Sequence, residues 1–187
     1  MKILRPGAVI VWIVCVSLLG MLAAPDASEA ATAQEIDASV NAALTRFYTQ
    51  VVGARDLVRR SRGVLVFAGV IKAGIGIGGE YGEGALRVGG RTVAYYSIAS
   101  ASIGLQFGAQ KKDVIIVFLQ DSALRRFQAS EGWQIGVDGS VVLIDLGAGT
   151  SIDTTKLNQP IVGFVVGQRG LMYNLTLEGS KISKLNR

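Results

Sequence analysis

From Gln34 to Val51 the apolar residues Ile36, Val40, Ala43, Leu44, Phe47 and Val51 recur at spacings of three and four. That period predicts a helix burying one stripe. Gly53 interrupts it, and Ala54 to Arg62 sets Leu57 and Val58 among basic residues, predicting a second short helix that stops at Gly63. Beyond Gly63 the period falls to about two. Val64 to Phe67, Gly74 to Val88, Arg91 to Gln110 and Val114 to Leu119 therefore read as strands. Gly89-Gly90 accepts the positive φ values of a two-residue hairpin, and Lys111-Lys112-Asp113 reads as a polar break of the same kind. Asp121 opens a short helix with Leu124 and Phe127 spaced three apart. Asp138-Gly139 predicts a hairpin joining Trp133–Val137 to Val141–Ile144. Leu146 to Gln159 reads as a loop, and two last strands, Ile161–Val166 and Leu171–Leu177, precede a basic tail of Lys181, Lys184 and Arg187.

The expected fold is α+β. A strongly curved, Gly-rich antiparallel sheet, barrel-like or a sandwich, is covered by two N-terminal helices and one inserted short helix. The curvature follows from glycines at 74, 76, 78, 82 and 84, which fall on one face of a strand and leave it nearly bare. Such a face either lets another backbone pack closely or floors a groove for an apolar chain; close packing is the plainer reading. Gly74-Ile-Gly76-Ile-Gly78-Gly79 satisfies the letter of the dinucleotide fingerprint G-x-G-x-x-G, but glycine continues at every second residue where that motif needs a helix.

Composition narrows the chemistry. The 187 residues contain no histidine, which removes the usual general base and the commonest nitrogen ligand for zinc or copper. The single cysteine, Cys15, lies in a segment that reads as an export signal. Lys2 and Arg5 form its positive start, Ala8 to Leu22 is uncharged, and small residues follow, with cleavage after Ala30 favoured over Ala33. A membrane anchor is the alternative, although the run meets Pro25-Asp26 before reaching the ~20 apolar residues of a span. The expected organisation is thus a signal peptide over 1–30 and one domain over 31–187, exported to the periplasm or cell envelope, or secreted.

The net charge of +5 belongs to the domain, because the two basic and two acidic residues of the first thirty cancel. A positive domain favours anionic partners. Arg55, Arg59, Arg60 and Arg62 crowd the second helix, Lys111 and Lys112 cap an expected hairpin, and Arg125 and Arg126 lie on the inserted helix. With Lys72 these are the candidate lipid-binding residues, since phosphate oxygens accept charge-assisted bonds from Arg and Lys. Catalysis has no such footing. Glu80 and Glu83, three apart on a strand, point to opposite faces, and Ser97, Ser100 and Ser102 have no histidine to activate them.

Several segments together resemble the SYLF domain, also called the Ysc84 or lipid-binding SYLF domain, particularly its bacterial exported members. They are Arg62-Gly-Val-Leu-Val-Phe67, the run from Val70 to Ala85, Ser102-Ile-Gly-Leu-Gln-Phe-Gly-Ala-Gln110, and Leu171-Met-Tyr-Asn-Leu-Thr-Leu-Glu-Gly-Ser180. With their spacing they span roughly Ala38 to Lys184. Two places depart from the family pattern, Tyr96-Ser97-Ile98-Ala99 and Val165-Val166-Gly167-Gln168. The resemblance implies a non-enzymatic lipid-binding module; eukaryotic relatives bind phosphoinositides and in some cases actin filaments. For an exported bacterial member, actin is not expected. The expected partner is an anionic phospholipid membrane surface, with no cofactor, no metal and no nucleic acid. The alternative is a structural or scaffolding envelope protein that engages a protein partner.

Overall fold

The computed structural model describes residues 31–144, 158–170 and 177–187. The expected signal peptide, most of the expected loop and most of the expected strand from Leu171 lie outside the described residues. Helix α1 (Ala33–Gln50) starts where Thr32 and Glu35 close a capping box. The Glu35 amide donates to Thr32 Oγ1 at 3.3 Å and the Thr32 amide donates to Glu35 Oε2 at 2.7 Å. Its buried residues, Ile36, Val40, Ala43 and Phe47, are the stripe the sequence shows. Gly53, at φ 85°, turns the chain into α2 (Ala54–Arg60).

Two long strands follow, β1 (Gly63–Val88) and β2 (Arg91–Phe118), paired antiparallel along their length around Gly89 and Gly90 at φ 57° and 80°. Then come α3 (Asp121–Ala129), β3 (Gly132–Gln134), β4 (Val142–Leu143), β5 (Ile161–Gly170) and β6 (Lys181–Leu185). The early part of β2 pairs with β6, which also pairs with β3, and its last part pairs with β5. The fold is α+β with a strongly curved sheet, as the alternating glycines imply.

The curvature has a visible cause in β1, which doubles back on itself. A Cβ at Gly74 would fall on the Cα of Gly78, marking the bend, and one at Gly84 would fall on the carbonyl oxygen of Val66. A Cβ at Gly82 would stand 2.8 Å from Val70 Cγ2. The bare positions 82 and 84 therefore admit backbone, not a groove for a ligand.

Folding back creates two apolar layers. Leu65, Phe67, Leu86, Tyr96, Ile98, Val114, Ile116 and Phe118 point into one, with Phe127 of α3 and Trp133. Val64, Val66, Ala85, Ile115, Val117, Val162 and Phe164 point the other way, against α1 and α2. Val114 to Phe118 is buried on both faces, which is why it reads as a continuous apolar run. Each such side chain contributes about 1.5–3 kcal/mol by leaving water.

Several local expectations are corrected. Lys111-Lys112-Asp113 is not a break: β2 runs through it, because Lys112 and Asp113 each find an opposite charge. Asp138-Gly139 does not join a hairpin. It closes a tight turn in which Asp138 Oδ2 accepts the Gln134 amide at 2.7 Å, while β3 pairs with β6 and β4 pairs parallel with β5. The sheet is therefore mixed rather than purely antiparallel. Lys181 and Lys184, expected in a tail, belong to β6, held by burial of Ile182.

Candidate functional site

The basic residues separate into two surface clefts and a buried pair. The first cleft, of about 430 Å³, lies between α1, α2 and the β1–β2 turn. Arg55 and Arg59, one helical turn apart on α2, line it with Arg87 of β1, and Leu44, Val58 and Val64 form its apolar wall. Tyr48 stands between the two sides. The Arg55 guanidinium lies 4.6 Å from its ring centroid, a cation–π arrangement. Burial pushes the Tyr48 hydroxyl above its ordinary range, while the charges of Arg55 and Arg87 pull the other way.

Carboxylates neutralise part of this set. Arg59 meets Asp56 at 2.9 Å on the exposed face of α2, a pair that water screens strongly. Arg87 Nη2 donates to Asp37 Oδ1 at 3.3 Å; that carboxylate also accepts from Thr92 Oγ1 at 2.6 Å and Tyr95 Oη at 3.0 Å. The Thr92 hydrogen bond is the largest influence holding the Asp37 carboxyl below its ordinary range. Asp37 thereby ties α1 to both long strands.

The second cleft, of about 370 Å³, opens where α1 passes the middle of the sheet. Arg46, Lys111 and Arg169 line it, with Asp113 at its base. Arg46 Nε donates to Asp113 Oδ2 at 2.7 Å, and Asp113 Oδ1 accepts the Gly69 amide at 2.8 Å. The β1–β2 and β2–β5 registers both slip beside Asp113, at bulges containing Gly69 at φ 66° and Gly167 at φ 64°. Left-handed backbone explains glycine at both places.

The remaining candidate residues lie elsewhere. Arg60 is exposed on α2, its Nε 3.4 Å from the Asp56 carbonyl oxygen. Arg62 faces Asp121 at 3.5 Å. Arg125 and Arg126 are exposed on α3. Lys72 is buried, and Lys112 is fully buried with its Nζ 3.1 Å from Glu80 Oε2. Neither offers its side chain as a surface cation. Arg87, Arg46 and Arg169 were not among the residues singled out from the sequence. Each is a single basic residue in a strand or helix, and only the contacts of β1, α1 and β5 bring it to a cleft.

Among the described residues no cluster of three or more His, Cys, Asp or Glu could hold a metal ion. No described helix is long and apolar enough to cross a membrane, which leaves strands unaddressed. The class defined so far is an α+β module whose curved sheet and covering helices form two cationic clefts. Residues 99–187 match the model of the family described as "Ysc84: Las17-binding protein actin regulator", the Ysc84 (SYLF) family that the sequence resembles. The matched segment holds Lys111, Asp113 and Arg169 but not Arg55, Arg59 or Arg87. No curated protein matches the chain.

Proposed function

We propose that this protein is a non-enzymatic peripheral module that binds anionic phospholipid through the α2 face. The observation that carries this reading is the first cleft, where Arg55, Arg59 and Arg87 border a wall of Leu44, Val58 and Val64. A phospholipid presents the same two chemistries side by side, phosphate oxygens for guanidinium groups and glycerol or acyl carbon for the wall. Arg60, exposed beside them, adds to the attraction. Each basic residue near an anionic surface contributes about 1 kcal/mol, so the exposed Arg55, Arg59 and Arg60 act together where one would not suffice, while Arg87 is held by Asp37. The N-terminal pattern supports export, and we place the module at a periplasmic or envelope membrane on that basis.

The family description names Las17 binding and actin regulation for its members. A scaffold engaging a protein partner is accordingly the second reading, supported by Ile71, Ile77 and Tyr81, large apolar side chains left exposed along β1. Vesicle sedimentation separates the two. The lipid reading expects binding to phosphatidylcholine vesicles only when phosphatidylglycerol is added, weakening as salt rises. R55E/R59E/R60E, on an exposed helix face, should abolish that binding with the thermal transition retained. Binding that ignores lipid charge, or that survives the triple change, overturns it.

A further inference from the structure

Lys111 on β2 and Arg169 on β5 are directly opposite one another in the antiparallel ladder. Like charges in that position repel and destabilise a sheet. Neither forms an ion pair with a carboxylate among the described residues. A third cation, Arg46, converges on the same cleft from α1, and the one carboxylate lining it, Asp113, is already engaged by Arg46 and by the Gly69 amide. Lys112 also borders the cleft, but its charge is spent on Glu80 inside the sheet. Balancing Arg46, Lys111 and Arg169 against Asp113 leaves a local excess of two positive charges.

The backbone is shaped to keep this space open. The glycine bulges on either side of Asp113 interrupt both ladders at one level. A Cβ at Gly69 would stand 2.6 Å from Lys111 Cε, so the bare residue lets the lysine lie across it. At Gly167 a Cβ would stand 3.3 Å from Asp113 Oδ2 and 3.8 Å from Arg46 Nε, crowding the pair at the base. The volume of about 370 Å³ falls at the small end of the ~300–1,000 Å³ of ligand sites.

We infer that the Arg46–Lys111–Arg169 cleft is a binding site for a phosphate monoester, carried by a soluble molecule or by a lipid headgroup. The monoester bears about −1.5 to −2 at neutral pH and offers three acceptor oxygens, which matches the excess charge and the number of converging cations. A phosphodiester, with one negative charge, would leave part of the repulsion in place. This inference does not rest on the α2 membrane face, which has a different set of arginines.

The test is a nitrogen-15 NMR titration of the full chain with inorganic phosphate, against sodium chloride at equal ionic strength. Saturable shifts are expected at the amides of Gly69, Lys111, Gly167 and Arg169. K111Q/R169Q should weaken binding about tenfold or more, the loss of a charge-assisted hydrogen bond, and R125Q/R126Q, exposed on α3 outside the cleft, should leave it unchanged. K111R retains the charge and should retain binding, which separates a lost ligand contact from a damaged fold. A second arm compares vesicles containing phosphatidic acid, a monoester, with vesicles containing phosphatidylglycerol, a diester. A preference for phosphatidic acid over phosphatidylglycerol that disappears in K111Q/R169Q, with sedimentation through the α2 face retained, assigns the monoester to lipid; phosphate shifts without that preference assign it to a soluble molecule. Shifts that rise linearly over the whole basic surface, or a K111Q/R169Q variant that titrates like the parent, would overturn the site.

Discussion

Arg46 Nε donates to Asp113 Oδ2 at 2.7 Å, joining the outward side of α1 to a carboxylate near the C-terminal end of β2. The Asp113 side chain is 6% exposed and that of Arg46 40%. The carboxylate is thus buried beside two bulges and depends on one guanidinium from another element. Removing that partner leaves its charge with the Gly69 amide as sole hydrogen-bond donor among the described residues. Arg46→Ala should cost about 2 kcal/mol, less than the ~3–5 of a fully buried pair because water reaches the arginine. The midpoint of urea unfolding measures it. A change within experimental error would show that solvent or the neighbouring lysines replace Arg46 completely.

Lys112 and Glu80 form a different kind of pair, at 3.1 Å with side chains 0% and 3% exposed. Among the described residues, neither Lys112 Nζ nor Glu80 Oε1 has a hydrogen bond, and both nitrogen and oxygen of the buried Gln110 amide lack one as well. Desolvation is therefore poorly compensated. Lys112→Met alone should destabilise by about 3–5 kcal/mol by stranding the glutamate, whereas K112M/E80L should recover most of that loss. A double-mutant cycle by chemical denaturation reads the coupling, and additive single effects would contradict it.

The lowered carboxyl of Asp37 makes stability depend on pH in one direction. Its folded value lies below the ordinary 3.8, with the Thr92 hydrogen bond the largest cause. The stabilisation is therefore complete above the unfolded value and is lost as pH falls through the folded one. The melting-temperature gap between the parent and Asp37→Asn should stay constant at pH ~5–7 and narrow below pH ~4. Thr92→Val should narrow less steeply than the parent, since the main cause is gone. A gap that widens in acid would reverse the assignment.

Glycines on the doubled strand should differ sharply in tolerance. Gly84→Ala puts a methyl onto the carbonyl oxygen of Val66 and 2.8 Å from Phe67 Cδ1, both in the core, and should cost more than about 3 kcal/mol through forced backbone movement. Among the described residues, Gly79→Ala meets nothing nearer than the Ser100 carbonyl oxygen at 3.9 Å, and it should fall within about 0.5 kcal/mol of the parent. Thermal unfolding of the pair decides it. Equal tolerance would mean that β1 does not double back where Gly84 meets Val66.

Local periodicity was sufficient for whatever depends on neighbours three or four apart. The stripe Ile36–Val40–Ala43–Phe47 and the Gly89-Gly90 turn appear as the sequence implies, because helix burial and positive φ are properties of short segments. The alternating glycines likewise announced a bare face, since only close backbone contact or an open groove leaves so many side chains out. That Gly84 meets Val66 of the same strand could not be read locally, because the contact spans a bend.

The charged residues divide along the same line. Lys111-Lys112-Asp113 looked like a solvated break since nothing nearby in sequence neutralises it, yet Glu80 and Arg46 arrive from other elements and let β2 continue. Arg55 and Arg59 were legible as a helical pair, but Arg87 joins them only because β1 returns beside α2, and Arg169 meets Lys111 only through the β2–β5 register. The amino-acid order by itself determined the helices, the glycine face and the positive charge, all of which follow from residue type and short-range spacing. Which cations stand together, and which are sealed inside, was decided by long-range strand pairing, because electrostatic energy depends on distance through space rather than along the chain.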